Sequence, residues 1–310
     1  MENVVIIGSG CAGFTSAIYT ARAGLKPLMF TGIMPGGLLT TTTIVENFPG
    51  FENGIDGFTL MMTMRKQAER FGTVMRDLEL VEKVEPKGKY FVVHSGGEQI
   101  EAKTVIIATG AGHRHLGLES EHLLENKGVT YCATCDGPNP IFRNQPLVVV
   151  GGGDSALEEA TFLTRFGSKV YLIHRREQLR ASKIMQERAL ANEKIEFVWN
   201  SVVEDILDPK QDKVTGVKIK NIVDGSTKTL DCAGVFVAIG HIPNTQFVRD
   251  LVDVDEDGYI QCTRGSETKT PGLFAAGDCV DRTYRQAITA AGLGCAAAID
   301  AERYLAAQES

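Results

Sequence analysis

The stretch "NVVIIGSGCAGFTSAIYTARAG", residues 3–24, decides how the rest of the chain is read. Four β-branched residues, Val4 to Ile7, run without alternation into glycine. Such a run predicts a strand buried on both faces, as in a parallel sheet. The Ala-rich segment beyond the glycines predicts a helix. The turn between them, Gly8-Ser9-Gly10-Cys11-Ala12-Gly13, fits G-x-G-x-x-G. In that setting the first glycine permits a tight turn, the second lets backbone approach a pyrophosphate, and the third packs helix on strand. The helix N-terminus adds N–H groups and the positive end of its dipole.

The same pattern returns in "PLVVVGGGDSALEEATFLTRFG" from Pro146, with Gly8 and Gly151 at equivalent places. Its loop, Gly151-Gly152-Gly153-Asp154-Ser155-Ala156, has the G-x-G-x-x-A form. The next strand ends in "VYLIHRREQLR", which places His174, Arg175 and Arg176, and Arg180 one turn on, where a ribose 2′-substituent would lie. Arginines there accommodate a 2′-phosphate, where NAD binders use an acidic residue, so NADPH is the expected ligand. The first half has no such arginines after "LKPLMFTG". Its ligand is expected to be a different dinucleotide, FAD, the natural partner of a hydride donor.

A second pair of segments, "TVIIATG" ending at Gly110 and "GVFVAIG" ending at Gly240, also repeats. After it comes "TPGLFAAGDCVD" and the helical "YRQAITAAGLGCAAAIDAERYL", with no third glycine fingerprint before them. This tail is expected to complete the first domain. The expected fold is α/β, with two Rossmann-like dinucleotide-binding domains, the second inserted into the first. The boundaries are 1–116 with 244–310 for an FAD-binding domain and 117–243 for an NADPH-binding domain. Asp278, at the end of "LFAAGD", is either a contact to a flavin-side hydroxyl or phosphate neighbour, or an exposed N-cap.

Composition narrows the classes. The 310 residues are 43% hydrophobic and 23% charged, as in an ordinary globular protein. A formal net charge of -7 gives no basic stripe for nucleic acid. No run approaches the ~20 apolar residues of a membrane span. The N-terminus "MENVVIIGSG" lacks the basic flank and apolar core of a secretory signal. Seven cysteines, an odd number, argue against a secreted disulfide framework and for a cytoplasmic protein.

One cysteine pair is closely spaced, Cys132 and Cys135 in "GVTYCATCDGPNP", residues 128–140, with Asp136 next. Zinc would need two further ligands, and none stands at matching spacing; His113 and His115 read as an isolated loop or surface pair. No metal is expected. A structural disulfide is disfavoured for so short a loop in a reducing compartment. A redox dithiol remains. Thiolate attacks disulfide through a mixed disulfide, so one cysteine attacks and the other resolves. Asp136 does not lower a thiol pKa by its charge, but it can carry a proton to a leaving thiolate. Cys279 and Cys295 read as buried small hydrophobes.

Over essentially its whole length the chain resembles the low-molecular-weight thioredoxin reductases. The motifs that carry this are "GSGCAG", "GGLLTTTTIVENFPG", "ATGA", "CATCDG", "VVGGGDSALEEA", "HRREQLRASK", "AIGHIPNT", "FAAGD" and "YRQAITAAG", in matching order and spacing. The resemblance implies a homodimeric flavoprotein oxidoreductase with FAD and NADPH. Electrons would pass from NADPH to FAD, to the Cys132–Cys135 disulfide, and on to thioredoxin. It implies FAD contacts from Ser9 to Ala12, Asn47, Asp278, Arg285, Gln286 and Ala287, with Cys135 nearer the flavin and Asp136 as acid and base. It also implies that the inserted domain rotates, with hinges near Leu116 and Asn244. Three departures stand out: Cys11 where many members have Pro, Leu38 where Gln is common, and "DGPNPIF" after the cysteines. The alternatives are a flavoprotein serving a peroxiredoxin or another CxxC partner, and a redox sensor without turnover.

Overall fold

Val4, Val5 and Ile6 are wholly shielded from solvent because their strand, Glu2–Ile7, lies between two parallel neighbours. Val4 and Ile6 enter one apolar cluster, and Val5 and Ile7 enter another. Alternate side chains of a strand point to opposite faces. A strand covered on both faces therefore needs the unbroken apolar run seen here. The computed structural model describes residues 1–42 and 44–309, excepting the Glu309 side chain. Thr43, inside the "GGLLTTTTIVENFPG" motif, lies outside the described residues.

The chain divides into two units, Met1–Gly112 with the segment from Ile242 onward, and His113–His241. In the first unit a seven-stranded sheet runs in the order Val74–Arg76, Leu28–Phe30, Glu2–Ile7, Glu98–Ile107, Tyr90–Ser95, Lys83–Lys87. Leu273–Ala275 lies parallel to the end of Glu98–Ile107, with Phe274 opposite Ile106. In the second unit five parallel strands run in the order Val129–Thr130, Gly234–Ala238, Pro146–Gly151, Lys169–Ile173, Ile195–Val198. A three-stranded antiparallel sheet of Ser201–Leu207, Gly216–Asn221 and Thr227–Asp231 accompanies it.

Apart from the antiparallel Tyr90–Ser95 and Lys83–Lys87 of the first sheet, both sheets are the same construction. The strand before each glycine loop is central, with the next strand in sequence on one side and a late strand on the other. Val5 sits between Leu28 and Val105, and Val149 sits between Leu172 and Phe236. The glycine loop thus opens at the point where the strand order reverses, which is where open α/β sheets bind ligands. The two passages between the units run side by side as a ribbon of Ala111–His113 and His241–Pro243.

In the first unit the helix after the glycine loop, Cys11–Arg22, packs on the long C-terminal helix, Ala287–Glu309. Small residues allow a close approach. Ser16 Oγ donates to the Gly294 carbonyl at 2.9 Å, and a Cβ on Gly294 would stand 2.2 Å from the Ala12 carbonyl oxygen. Gly294→Ala must push the two helices apart. Overpacking of this kind costs about 1–3 kcal/mol or more, so the variant should melt several degrees below the parent in a thermal scan.

Candidate functional site

The first glycine loop is closed on one side and open on the other. A Cβ on Gly8 would lie 2.2 Å from the Ala108 carbonyl oxygen, and one on Gly13 would lie 2.0 Å from that of Gly8. A Cβ on Gly10 would meet nothing within 4 Å. The loop therefore leans its first and third glycines on protein and presents its second outward. Ser9 is buried and does structural work: its Oγ donates to the Thr31 carbonyl at 2.8 Å and accepts from Gly36 N–H at 3.0 Å. Cys11 and Ala12 are buried as well. The Cys11 thiol points at Met61 Sδ, 3.7 Å away, and burial pushes its pKa up to about 12. Cys11 can meet a ligand only through its backbone.

Asp278 follows strand Leu273–Ala275 in the same unit. Its Oδ1 is enclosed and has no hydrogen-bond partner. Burial first, and Asp281 second, push its pKa up to about 6, against the pull of Arg285. An enclosed carboxylate oxygen without a donor costs free energy until a donor arrives. It is not the exposed N-cap that the sequence also allows. Arg285 has a left-handed backbone, φ +49°, and its N–H donates to Asp281 Oδ2 at 2.9 Å. Arg285 and Gln286 thus precede the helix, which begins at Ala287. Asn47 Nδ2 donates to Gln286 Oε1 at 3.3 Å, bringing those two predicted residues together. Leu38 lies on the turn Gly37–Thr41 and is exposed.

The second loop repeats the design. A Cβ on Gly151 would stand 2.4 Å from the Ala238 carbonyl oxygen, and one on Gly153 would meet nothing within 4 Å. Ala156 is buried at the helix start, with Ser155 half-buried before it. Asp154 faces away from the opening, since its Oδ1 accepts from both Ser182 N–H and Oγ at 2.8 Å. His174 is buried with its ring under Gly152, where a Cβ would come within 2.3 Å of it. Its Nε2 faces the Gln178 carbonyl at 3.1 Å, and burial lowers its pKa. Arg175, Arg176 and Arg180 are exposed on the same segment, and Arg180 N–H donates to the Gly152 carbonyl at 2.8 Å. His174 supports the loop, while the arginines supply the cations.

Cys132 and Cys135 are joined as a disulfide, with Cα atoms 5.3 Å apart. They begin and nearly end a single helical turn, Ala133–Asp136, whose N-cap is Cys132. Cys135 N–H points at Cys132 Sγ at 3.3 Å. Asp136 is half-buried, and its Oδ2 accepts from the Thr130 hydroxyl. Burial is the larger influence and raises the Asp136 pKa; Thr130 opposes it. Thr130 escaped the sequence reading, although a hydroxyl at a strand end two residues before Cys132 was the available signal. Among the described residues, Cys11, Cys232, Cys262, Cys279 and Cys295 are unpaired. Cys279 is fully buried and Cys295 half-buried.

His113 and His115 are not isolated. The His113 ring stacks on Tyr131 at 4.8 Å and meets the His241 ring edge-on at 4.9 Å. His115 Nδ1 lies 2.8 Å from the Tyr131 hydroxyl. Beneath them Glu121, wholly buried, accepts from Leu116 N–H, Gly117 N–H and the Tyr131 hydroxyl at 2.9 to 3.2 Å. Among the described residues no cluster of side chains suits a metal ion. No helix there is long and apolar enough to cross a membrane.

Two glycine-loop sheets, one in a unit that also carries a closely spaced disulfide, define a nucleotide-binding disulfide oxidoreductase class. The chain belongs to the pyridine nucleotide-disulphide oxidoreductase family, whose model matches residues 2–294. It is 56% identical to the thioredoxin reductase of Mycolicibacterium smegmatis, over 100% of this chain and 98% of that one. It is 54% identical to thioredoxin reductase 1, mitochondrial, of Arabidopsis thaliana, over 97% and 83% respectively. The crystal structure of thioredoxin reductase from Streptococcus pyogenes MGAS5005 superposes with a TM-score of 0.92 at 43% identity, covering 99% of each chain.

Asp278 yields a test of the first site. A carboxyl whose folded pKa is raised contributes stability that is complete below its ordinary 3.8 and is lost as pH rises through about 6. Ligand-free protein should therefore lose stability between about pH 4 and about pH 6 in a way that Asp278→Asn does not. In melting scans the variant should melt above the parent at the higher pH, and the gap should narrow on acidification. A gap that is the same at every pH would contradict the assignment.

Proposed function

We propose that this chain is an NADPH-dependent thioredoxin-disulfide reductase, acting through FAD and the Cys132–Cys135 pair. The observation that carries the reading is a disulfide beside a half-buried carboxyl, on the unit that also holds the arginine-flanked glycine loop. The first unit's residues suit FAD. Gly10 leaves the loop open to a pyrophosphate, and Asp278 Oδ1 can accept from a hydroxyl of the flavin's sugar-alcohol chain. Ser9 to Ala12 would line the phosphates by backbone, with Asn47, Leu38, Arg285, Gln286 and Ala287 around the remainder. In the second unit Gly151, Gly153, Asp154 and Ser155 would receive the NADPH pyrophosphate on backbone, and Arg175, Arg176 and Arg180 its 2′-phosphate. We assign FAD binding to the first unit and NADPH binding to the second. When bound, FAD accepts two electrons from NADPH and makes them available to the disulfide.

The rest is thiol chemistry. Two electrons and two protons convert the Cys132–Cys135 disulfide to a dithiol. One thiolate attacks the thioredoxin disulfide, its S–S bond breaks, and the departing sulfur takes a proton. The second cysteine then displaces the mixed disulfide, releasing dithiol thioredoxin and restoring the Cys132–Cys135 bond. The Cys135 N–H aimed at Cys132 Sγ favours a thiolate on Cys132, since hydrogen bonds to a charged form stabilise it. Asp136, enclosed enough to hold a proton, serves the departing sulfur. The reading includes a cytoplasmic homodimer, and five unpaired cysteines suit a reducing compartment.

A visible spectrum followed during NADPH titration tests flavin, donor and disulfide together. Steady NADPH consumption with added thioredoxin is expected, whereas a sensor would stop after about one equivalent. Cys135→Ser should keep its bound flavin and lose thioredoxin reduction; reduction at the parent rate would exclude the pathway. Replacing Arg175 and Arg176 by Gln should raise the KM for NADPH by roughly 10-fold or more, given the strength of charge-assisted bonds to phosphate, and leave that for NADH nearly unchanged. Equal losses for both would show that the arginines do not meet the 2′-phosphate.

A further inference from the structure

Strand Val129–Thr130 pairs in parallel with Val235 and Phe236, which fixes Thr130 in the sheet opposite Phe236. Thr130 is buried, and a β-branched side chain in a strand has little rotamer freedom. Its hydroxyl has two contacts. Cys132 N–H donates to Thr130 Oγ1 at 3.3 Å, and Thr130 Oγ1 donates to Asp136 Oδ2. Asp136 N–H in turn donates to the Cys132 carbonyl at 3.1 Å. Strand end, first cysteine and acid therefore close a small ring of hydrogen bonds around one hydroxyl.

A hydroxyl has one donor and two acceptor sites. The Cys132 N–H occupies one acceptor site. What remains is a proton that can be given to an ionised carboxylate and a lone pair that can receive a proton from a neutral acid. We propose that Thr130 positions the acid of this site, gripping the Asp136 carboxyl beside the cysteine pair in both of its protonation states. The proposal rests on the reading of Asp136 as proton carrier of a disulfide reductase. Among the described residues, Thr130 is the side chain that hydrogen-bonds the Asp136 carboxyl. The helix packed on this turn, Asp154–Leu163, brings the carboxylates Asp154, Glu158 and Glu159, and Asp154 is engaged with Ser182. Strand Gly234–Ala238, beside Thr130, has no charged residue. Burial and Thr130 are the influences acting on Asp136.

Thr130 is a positioning residue, so its test needs readouts that a packing defect would not move. In FAD-loaded enzyme with NADPH and a bacterial thioredoxin, Thr130→Val should lower kcat by roughly 10- to 100-fold, the scale of a misplaced catalytic group. The KM for thioredoxin should change little. The pH limb belonging to Asp136 should move to higher pH, because losing a donor favours the neutral acid. Thr130→Ala, which also lacks the hydroxyl but has less bulk, should shift the limb the same way, and Thr130→Ser should return both rate and limb to the parent's. In an Asp136→Asn background Thr130→Val should cost nothing further, since both changes act on one interaction. Parent-like pH profiles for Thr130→Val and Thr130→Ala, or a full additional loss in the Asp136→Asn background, would overturn the proposal and leave the reductase reading standing. Asp136→Asn working at the parent rate at every pH would instead remove the proton-carrier reading beneath it.

Discussion

Each unit is organised by one steric constraint, the absence of room for a side chain where the central strand turns into its helix. The first glycine of each loop is pressed against a carbonyl of the neighbouring strand's end, Ala108 in one unit and Ala238 in the other. That contact fixes the direction in which the helix leaves. It also turns the second glycine, Gly10 or Gly153, toward open space. A larger residue at the closed position would move the helix; one at the open position would block whatever approaches the backbone. The binding geometry of both units thus follows from packing within the protein, before any ligand is considered.

The constraint is local, and that explains why so much was legible from sequence. An unbroken apolar run, a spaced set of glycines and an Ala-rich helix occupy about twenty consecutive residues, and the motif's meaning does not depend on distant partners. The α/β class, the paired glycine loops and the membership of the disulfide oxidoreductases all came from such contiguous signals. The illegible parts are joined across the chain. Thr130 matters because of where Asp136 lies, and His113 and His115 because Tyr131 stands sixteen or more residues later. The loop or surface reading holds for His115, which is exposed, whereas His113 ends strand Ala111–His113 and is half-buried. His174 adjoins the arginines in sequence, yet past the end of strand Lys169–Ile173 its ring turns in under Gly152 while Arg175 and Arg176 stay exposed. The segment "YRQAITAAG" suggests a helix from Tyr284, but the helix begins at Ala287, since Arg285 adopts a left-handed backbone that composition does not announce.

The two sheets share a further equivalence. In the first, the strand beside Glu98–Ile107 is Leu273–Ala275, which leads into Asp278. In the second, the strand beside Gly234–Ala238 is Val129–Thr130, which leads into Cys132. The same outer strand therefore delivers an enclosed carboxylate in one unit and a disulfide in the other. One scaffold position has been given two chemistries, and a carboxyl accompanies both: Asp278 itself in the first case, Asp136 four residues after the first cysteine in the second. Burial raises the pKa of each.

The middle unit enters and leaves the chain through neighbouring strands, with Arg114 N–H donating to the Gly240 carbonyl at 3.0 Å. A module whose ends meet at one spot can be excised as a contiguous piece of gene, or have its termini joined by a short linker and reopened elsewhere, without stretching its own sheet. Recombination between relatives would trade this cassette whole, carrying its glycine loop, its exposed arginines and its disulfide together as a single heritable part.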